Sequence, residues 1–368
     1  MPPTLSVAMI VKNEALLLPE CLKAIQAHAD DCVVVDTGST DDTMAIATNA
    51  HCKVSSYPWG NDFSAARNAA LAQCTGDWIL VLDADERIQP DDWQVLKKHI
   101  QSDTNACYRF VTRNYTDNIG LSDLTHCDAG DPWARGFPAW FPSEKVRLFP
   151  RHPDIRFENP VHELVNDSAV RAGFAIRDCD VPIHHYPLLK DARALKAKRR
   201  LYLRLGEEKI KLHPDKAHFH AELGHQHLEL GQYVEALVAY QRALQLEPEN
   251  GERLADLGGA LYALGKTAQA AQAYTLALKL DATLQEAWRN LGVIHAGDGQ
   301  WVNAEQCFAK AIDLCPNQAE AHRYHAIALQ NLEQGKEALI AITRSVELNP
   351  ASDEAQSLYQ ALKEQMKG

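Results

Sequence analysis

The chain has 368 residues, enough for two domains that each bury a core. Acidic residues outnumber basic ones by 49 to 37, and the net charge of −12 excludes a general attraction to nucleic acid or anionic lipid. No stretch has the ~20 apolar residues that a membrane-spanning helix needs, and residues 1–6 lack the basic start of a signal peptide. The nine cysteines form no CxxC pair, which favours reduced thiols, so we expect a cytoplasmic protein.

Apolar strands alternate with amphipathic helices in the N-terminal part of the chain. Strands are predicted at 6–11, 32–35, 54–57 and 78–82. Helices are predicted at 15–27 and 64–74. Strands that are apolar throughout are buried on both faces, so the pattern predicts an α/β domain with a mostly parallel sheet.

Polar side chains follow three of these strands. Glu14 comes after the first strand, Asp36 after the second, and Asp83 and Asp85 after the fourth. The carboxyl ends of parallel strands meet at one sheet edge, where α/β sheets bind ligands. Two carboxylates at i and i+2 can turn toward one cation, and oxygen ligands suit Mg²⁺ or Mn²⁺. A DxD pattern alone is equally typical of a solvated turn.

Four segments together carry a more specific signal. In their order and spacing, residues 6–14, 34–43, 62–68 and 78–86 resemble family 2 glycosyltransferases, which are inverting enzymes of the Rossmann-like GT-A fold. The resemblance covers 1–190. Within the family the chain looks most like the branch with a tetratricopeptide tail, which includes the S-glycosyltransferases of glycopeptide bacteriocins.

The resemblance implies roles for individual residues. Asp36 would meet the nucleobase or ribose, Glu14 the ribose hydroxyls, and Arg67 the base or diphosphate of a nucleotide-sugar. Asp83 and Asp85 would hold the metal, with Asp83 also near the donor sugar or ribose. His185 would complete the metal shell. The alternatives are helix N-capping for Glu14 and Asp36 and a surface ion pair for Arg67.

An inverting transfer also needs a general base that deprotonates the acceptor. Three shorter strands are predicted at 108–112, 145–149 and 161–165, and the last of these carries His162 and Glu163. Glu163 is the first candidate and His162 the second. In a regular strand they point to opposite faces, so only one would face the site. The alternative is that one of them pairs with Arg147 or Arg156.

Residues 115–143 are predicted to form one long loop. Its aromatic residues are Trp133, Phe137, Trp140 and Phe141. Aromatic side chains on so long a loop are typical of a lid or a binding surface, and we interpret them as an acceptor lid. The alternative is a loop that packs on the C-terminal domain.

A 34-residue period fills the C-terminal half. Segments 215–248, 249–282, 283–316 and 317–350 align without a gap, and three columns carry the pattern. Their members are Pro248, Pro316 and Pro350; Gly224, Gly258, Gly292 and Ala326; and Tyr240, Tyr274, Phe308 and Ile342. The pattern resembles tetratricopeptide repeats and predicts an all-α solenoid, in which small residues let the two helices of a hairpin approach and the aromatic ring fills the gap to the next repeat. We expect 191–214 to be a helical linker or degenerate repeat and 351–368 a capping helix.

The leading hypothesis is a metal-dependent transfer of a sugar from a nucleotide-sugar, UDP-linked by preference, to a peptide or protein that the repeats position. A second hypothesis replaces this acceptor with a saccharide or lipid-linked glycan of the cell envelope, and the repeats then serve dimerisation or recruitment. A third is a non-catalytic scaffold. A homodimer through the repeats is compatible with the first two.

Overall fold

The computed structural model describes residues 2–102, 105–117, 124–128, 130–186 and 192–366. The chain divides into two compact units. One comprises Met1–Thr116 with Asp128–Ala192, and the other Asp117–Cys127 with Arg193–Gly368. No described helix is both long and apolar enough to span a bilayer.

The described strands and the helices of the first unit give an α/β architecture. The strands are β1 (Leu5–Val11), β2 (Asp31–Asp36), β3 (Lys53–Ser56), β4 (Trp78–Val81), β5 (Glu86–Arg87), β6 (Ala106–Thr116), β7 (Thr125–His126), β8 (Ala139–Pro150) and β9 (Ala175–His185). The helices are α1 (Leu18–Ile25), α2 (Thr43–Asn49), α3 (Phe63–Leu71), α4 (Asp92–Ser102) and α5 (Asn166–Arg171).

The sheet is mixed, with a parallel N-terminal half. Its main path has the order β3-β2-β1-β4-β8-β6-β9-β5. β3, β2, β1 and β4 are parallel to one another, β8 is antiparallel to β4 and β6, and β9 is parallel to β6. The central residues of β2, Val33, Val34 and Val35, are fully buried, as expected for a strand covered on both faces. The predicted α/β class is confirmed, with the antiparallel β8 as the main departure.

A β-bulge interrupts β8 at Arg147. Tyr108 of β6 lies opposite Leu148, and the next residue, Arg109, lies opposite Val146, so Arg147 has no partner in that ladder. Leu148 packs in one apolar cluster and Val146 in another, although residues two positions apart share a face in a regular strand. A bulge redirects side chains in this way. It turns Arg147 toward the acidic residues that follow β4.

Two predictions for the region after β6 are wrong. In place of the predicted strand 161–165 there is a loop whose bends begin at Asn159, in which His162 takes a φ of 53° and Leu164 forms only an isolated bridge with Glu158. The predicted long loop is shorter than 115–143, because β6 continues to Thr116 and β8 already begins at Ala139. Residues 118–123 and 129 of that loop lie outside the described residues.

The second unit consists mainly of helices. The long helix α6 (Ala192–Leu212) precedes four helix pairs and a last helix. These are α7 (Ala217–Glu229), α8 (Tyr233–Leu246), α9 (Gly251–Ala263), α10 (Thr267–Leu280), α11 (Gln285–Gly297), α12 (Trp301–Leu314), α13 (Ala319–Asn331), α14 (Gly335–Leu348) and α15 (Asp353–Gln365).

Glycine and aromatic columns meet within each hairpin. A Cβ built on Gly258 would lie 2.8 Å from the ring of Tyr274, and equivalent contacts join Gly224 to Tyr240 and Gly292 to Phe308. The small residue is therefore what lets the two helices approach. The ring also reaches the following repeat, since Asn290 donates to the Tyr274 hydroxyl at 3.2 Å.

Candidate active site

The loops that follow β1 and β2 are tied together by short polar side chains. Asn13 Oδ1 accepts from the backbone N–H of Thr40 at 2.8 Å, and the Asn13 N–H donates to Ser39 Oγ at 2.9 Å. The Glu14 N–H donates to Thr43 Oγ1 at 2.8 Å. The segment 34–43 therefore fixes the carboxyl ends of two neighbouring strands.

Asp36 lies between these loops and is only 2% exposed. Its Oδ2 accepts from the backbone N–H groups of Gly38 and Ser39 at 2.9 and 3.0 Å. Its Oδ1 is buried and accepts no hydrogen bond from any described residue. An unsatisfied buried carboxylate oxygen is costly, so this atom suits a ligand that donates a hydrogen. Helix capping does not explain Asp36 or Glu14, because α1 and α2 begin after Leu17 and Asp42.

Asp83 follows β4 and faces two arginines. The Arg67 guanidinium donates to both of its carboxylate oxygens, at 3.0 and 3.3 Å, and Arg147 lies 4.0 Å away. Burial alone would raise the pKa of Asp83, but these two guanidinium groups outweigh it and hold the pKa well below its ordinary value. Asp83 is therefore ionised and largely charge-compensated by protein groups.

Arg67 and its neighbours on α3 hold the loop 157–163. Arg67 Nε donates to Glu163 Oε1 at 2.8 Å. Asn68 exchanges two hydrogen bonds with the backbone of Phe157, and the Ser64 hydroxyl donates to the Asn159 carbonyl. Arg67 is 8% exposed and bridges Asp83 and Glu163. It is neither the surface ion pair of the alternative nor a cation open to solvent.

The two candidate bases are placed differently. Glu163 is bound to Arg67, whereas the alternative partners Arg147 and Arg156 pair with Glu86 and Glu158. His162 is exposed in the same loop. Because the strand expected here does not form, the two side chains are not constrained to opposite sheet faces.

Asp85 and His185 face each other at the end of β9. Asp85 is 5% exposed, and its Oδ2 lies 3.5 Å from His185 Nε2. The other ring nitrogen, Nδ1, lies 2.7 Å from Asn114 Oδ1. Backbone pairing holds the two residues in place, since the Tyr186 N–H donates to the Asp85 carbonyl at 3.1 Å.

His184, next to His185, belongs to an aromatic cluster. Its ring lies within hydrogen-bond distance of the Tyr115 hydroxyl and the Gln89 amide, at 2.8 and 3.0 Å. Burial lowers the pKa of His184 to about 4, so the ring is neutral at physiological pH. Both ring nitrogens of His184 therefore have protein partners, and His185 as the metal ligand stays a prediction.

The four aromatic residues of the predicted lid fall into two groups. Phe137 and Trp133 pack in the cluster around Tyr115 and His184, with ring-centroid distances of 6.0 Å for Tyr115–Phe137 and 4.9 Å for Trp133–His184. Trp140 and Phe141 lie on β8 rather than on a loop, and both are half-buried.

Sequence reasoning missed three charged or polar residues here. Arg147 forms a buried ion pair with Glu86 at 2.5 Å. Lys145, two residues earlier on β8, makes no hydrogen bond or ion pair within the described part of the chain. Its side chain reaches solvent but is closely flanked by protein, and this desolvation, with the nearby Arg147 charge, lowers its pKa. The third residue that sequence reasoning missed is Asn114. None of the three is close to the DxD in the sequence, because Lys145 and Arg147 lie on β8 and Asn114 on β6, so their contacts depend on strand pairing and register.

Asp85, His185 and Asp83 suit a divalent cation that takes its remaining ligands from a bound substrate and water. Asp85 and His185 offer one oxygen and one nitrogen 3.5 Å apart. Asp83 is engaged by Arg67, so it is the weaker of the predicted ligands. Mg²⁺ and its analogues commonly use one or two protein carboxylates and take their other ligands from phosphates and water. Elsewhere in the described residues, His99, Cys179 and Asp180 have ligand atoms within 4.8 Å of one another.

Two kinds of family model match parts of this chain. Residues 6–165 match the model of glycosyl transferase family 2. The chain carries a family 2 glycosyltransferase domain. Residues 227–292 and 285–318 match tetratricopeptide repeat models, so this domain is followed by tetratricopeptide repeats.

Similar proteins combine or share these parts. A TPR repeat-containing protein of Synechococcus elongatus is 43% identical over 164 residues, which are 44% of this chain and 36% of that protein. The SPbeta prophage-derived glycosyltransferase SunS of Bacillus subtilis is 24% identical over 217 residues, 58% of this chain and 46% of SunS. An uncharacterized glycosyltransferase of Rickettsia felis is 37% identical over 45% of this chain and 54% of its own. The matches thus span about half or less of these relatives.

Solved structures with a similar backbone include MamA and YrrB. The crystal structure of MamA has a TM-score of 0.39 and 19% identity, covering 44% of this chain and 96% of MamA. That of YrrB, a TPR protein with an unusual peptide-binding site, has a TM-score of 0.39 and 21% identity, covering 45% of this chain and 86% of YrrB.

Proposed function

We propose that this glycosyltransferase domain transfers a sugar from a nucleotide-sugar, UDP-linked by preference, with inversion and with the help of Mn²⁺ or Mg²⁺. The observation that carries the proposal is the facing pair of Asp85 and His185 beside Asp83, at the sheet edge where Asp36 keeps an unsatisfied buried oxygen. Asp85 and His185 would hold the cation, which when bound supplies positive charge beside the diphosphate.

The residues after β1 and β2 are proposed to bind the nucleoside. Asp36 Oδ1 would accept a hydrogen bond from the base or ribose, and Glu14 would meet the ribose hydroxyls. Lys145, which forms no direct ion pair among the described residues although Glu86, Asp83 and Glu163 lie near it, is proposed to contact a phosphate of the donor. Asp83 is proposed to meet the donor sugar or ribose while Arg67 keeps it ionised and oriented.

Deprotonation of the acceptor is proposed to involve the loop 157–163. Glu163 already accepts a hydrogen bond from Arg67 at 2.8 Å, so one of its carboxylate oxygens is engaged by the protein. The neighbouring His162 is exposed, and an imidazole is the side chain most often used for proton transfer in catalysis. A thiol acceptor would depend less on either residue, because a thiol ionises more readily than a hydroxyl.

The acceptor is proposed to be a peptide or protein positioned by the repeats. Trp140 and Phe141 are the lid residues best placed for contact with it, since they remain half-exposed on β8, while Trp133 and Phe137 are taken up largely by the cluster around Tyr115. We also propose a cytoplasmic location, where the nine cysteines, none of which is in a disulfide, would be reduced thiols.

A thermal-shift screen of nucleotide-sugars with and without Mn²⁺ tests the donor proposal. A ligand that binds only the folded state stabilises it by about 2.7 kcal/mol at 100 times its Kd. We expect UDP-sugars to raise the Tm only with Mn²⁺, and Asp85→Asn to abolish the rise. Asp154→Asn, which alters an exposed carboxylate, should retain it. Lys145→Met should weaken stabilisation by UDP but not by uridine. Absence of any metal-dependent shift across the panel would contradict the proposal.

A further inference from the structure

The structure assigns a positioning role to Asn114: its side-chain amide holds the His185 ring so that a bare Nε2 faces Asp85. Asn114 is 7% exposed and lies outside the predicted site residues. The inference rests on the proposed function in one respect: the divalent cation that Asp85 and His185 are proposed to hold.

The orientation of the amide follows from its surroundings. Asn114 Nδ2 lies 3.2 Å from the Thr112 carbonyl, 3.1 Å from the Phe141 carbonyl and 3.0 Å from Ser143 Oγ. Carbonyl oxygens only accept hydrogen bonds, so the NH₂ group must lie on this side. Exchanging the amide oxygen and nitrogen would set an acceptor against two acceptors.

This orientation determines which nitrogen of His185 carries the hydrogen. Asn114 Oδ1 lies 2.7 Å from His185 Nδ1. An amide oxygen cannot donate, so Nδ1 must be the N–H donor of the pair. In the neutral ring Nε2 then carries the lone pair.

The bare nitrogen faces a second acceptor. Asp85 Oδ2 lies 3.5 Å from His185 Nε2, and two lone-pair atoms at this distance attract a cation rather than each other. A metal-binding histidine typically donates its other N–H to an oxygen, which fixes the tautomer and the ring. Asn114 supplies that oxygen.

The sheet makes this arrangement rigid. Asn114 lies on β6 between two strands, opposite Phe141 of β8 and opposite His185 of β9. Its amide therefore links the ligand on β9 to the β8 segment that carries Phe141. The position depends on strand register rather than on a loop conformation.

Nitrogen-15 NMR of the histidine rings in the metal-free full-length chain tests the first half of the inference. At about pH 7.5, we expect Nδ1 of wild-type His185 to carry the ring hydrogen and Nε2 to be bare, with the signals identified by their loss in His185→Ala. In Asn114→Ala the ring should become a mixture of tautomers. Ser143→Ala removes another partner of the same amide and should leave the tautomer unchanged. A wild-type ring that carries its hydrogen on Nε2, or on both nitrogens, would overturn the inference even if the variants fail to fold.

Electron paramagnetic resonance titration with Mn²⁺ in the presence of UDP tests the second half. We expect Asn114→Ala to weaken Mn²⁺ binding about 10–100-fold, as for other residues that orient a metal ligand, and Ser143→Ala to change it little. Unchanged affinity and tautomer in Asn114→Ala would overturn the role of Asn114 and leave the proposed function intact. Absent Mn²⁺ binding in wild type, with the Nδ1–H tautomer present and lost in Asn114→Ala, would contradict the proposed function and support the positioning of the ring.

Discussion

The carboxylates at the sheet edge differ in what compensates their charge. Asp36 is held by two backbone N–H groups, Asp83 by two arginines, and Asp85 faces a histidine. A site that must bind a cation beside a dianionic diphosphate cannot have every carboxylate neutralised by protein groups. This difference is why we assign the cation to Asp85 and the donor sugar or ribose to Asp83.

A carboxylate remote from this edge gives the chain a pH-dependent stability. Asp31 accepts from Ser6, from the N–H and hydroxyl of Thr75, and from Lys53, at 2.9–3.0 Å. Burial alone would raise its pKa, but these partners outweigh it and lower the pKa in the folded state. The folded chain then binds fewer protons than the unfolded chain near pH 4, so this stabilisation is present above that pH and is lost as the pH falls further.

We therefore expect Asp31→Asn to lower the free energy of unfolding at pH 7 by about 1–3 kcal/mol. The deficit should shrink between about pH 4 and pH 2, as the wild-type carboxylate is protonated. Urea unfolding at a series of pH values measures it, with Asp154→Asn as the exposed control. A deficit of equal size at both ends of this range would refute the assignment.

The positions of site residues could be predicted from the sequence only where the residue lies in a local motif. Asp36, Asp83 and Asp85 stand directly after apolar strands, so their common edge was predictable. Asn114 and Lys145 lie on strands whose pairing involves residues far along the chain. An isolated asparagine in an alternating strand looks like any solvent-facing polar residue.

Among the elements, helix α3 holds the loop 157–163 through hydrogen bonds from its side chains. The side chains of Ser64, Arg67 and Asn68 all bind that loop. Arg67, which was expected to reach the base or diphosphate, uses Nε and Nη2 for Glu163 and Asp83, and its buried Nη1 has no hydrogen-bond partner among the described residues. The strand predicted at 161–165 does not form. Asn159 and His162 adopt positive φ in this loop, and Pro160 lacks the backbone N–H that strand pairing needs.

The glycine column of the repeats gives a prediction about packing. Gly258→Ala would place a Cβ 2.8 Å from the Tyr274 ring. Overpacking typically costs about 1–3 kcal/mol, against a helical gain of about 1 kcal/mol for alanine. We expect Gly258→Ala to lower the midpoint of the unfolding transition, which far-UV circular dichroism records. The matched control is Gly297→Ala, whose Cβ would meet nothing within 4 Å and should not lower the midpoint.

The fourth repeat suggests a second experiment on the contact between the glycine and the aromatic ring. There Ala326 and Ile342 replace the glycine and the aromatic residue, and both are fully buried. Gly258→Ala should therefore cost less in a Tyr274→Ile background than in wild type, as a double-mutant cycle measures. Equal costs in the two backgrounds would show that the ring is not what requires glycine.

At the scale of the whole molecule, the sequence predicted the two architectures better than their connections. A strict 34-residue period and continuous apolar strands are local signals, and both architectures are present. The antiparallel insertion of β8 between β4 and β6 is a non-local pairing, and the bulge at Arg147 depends on it. Neither could be derived from periodicity alone.

The acceptor proposal concerns the whole chain. Intact-mass analysis of cell protein from cells that make the wild type should show a hexose-sized adduct that disappears with Asp85→Asn. Asp154→Asn should preserve the adduct. A sugar found only on saccharide or lipid-linked material would favour the second hypothesis and exclude a peptide acceptor.

The most direct test of the account is the release of nucleoside diphosphate from nucleotide-sugars by the purified full-length chain. We predict release from a UDP-sugar that requires Mn²⁺ or Mg²⁺, stops with EDTA, falls at least about 100-fold in Asp85→Asn, since a positioned charge at the reacting centre typically contributes this much, and persists in Asp154→Asn. Release that is independent of divalent cations, or that Asp85→Asn leaves unchanged, would contradict it.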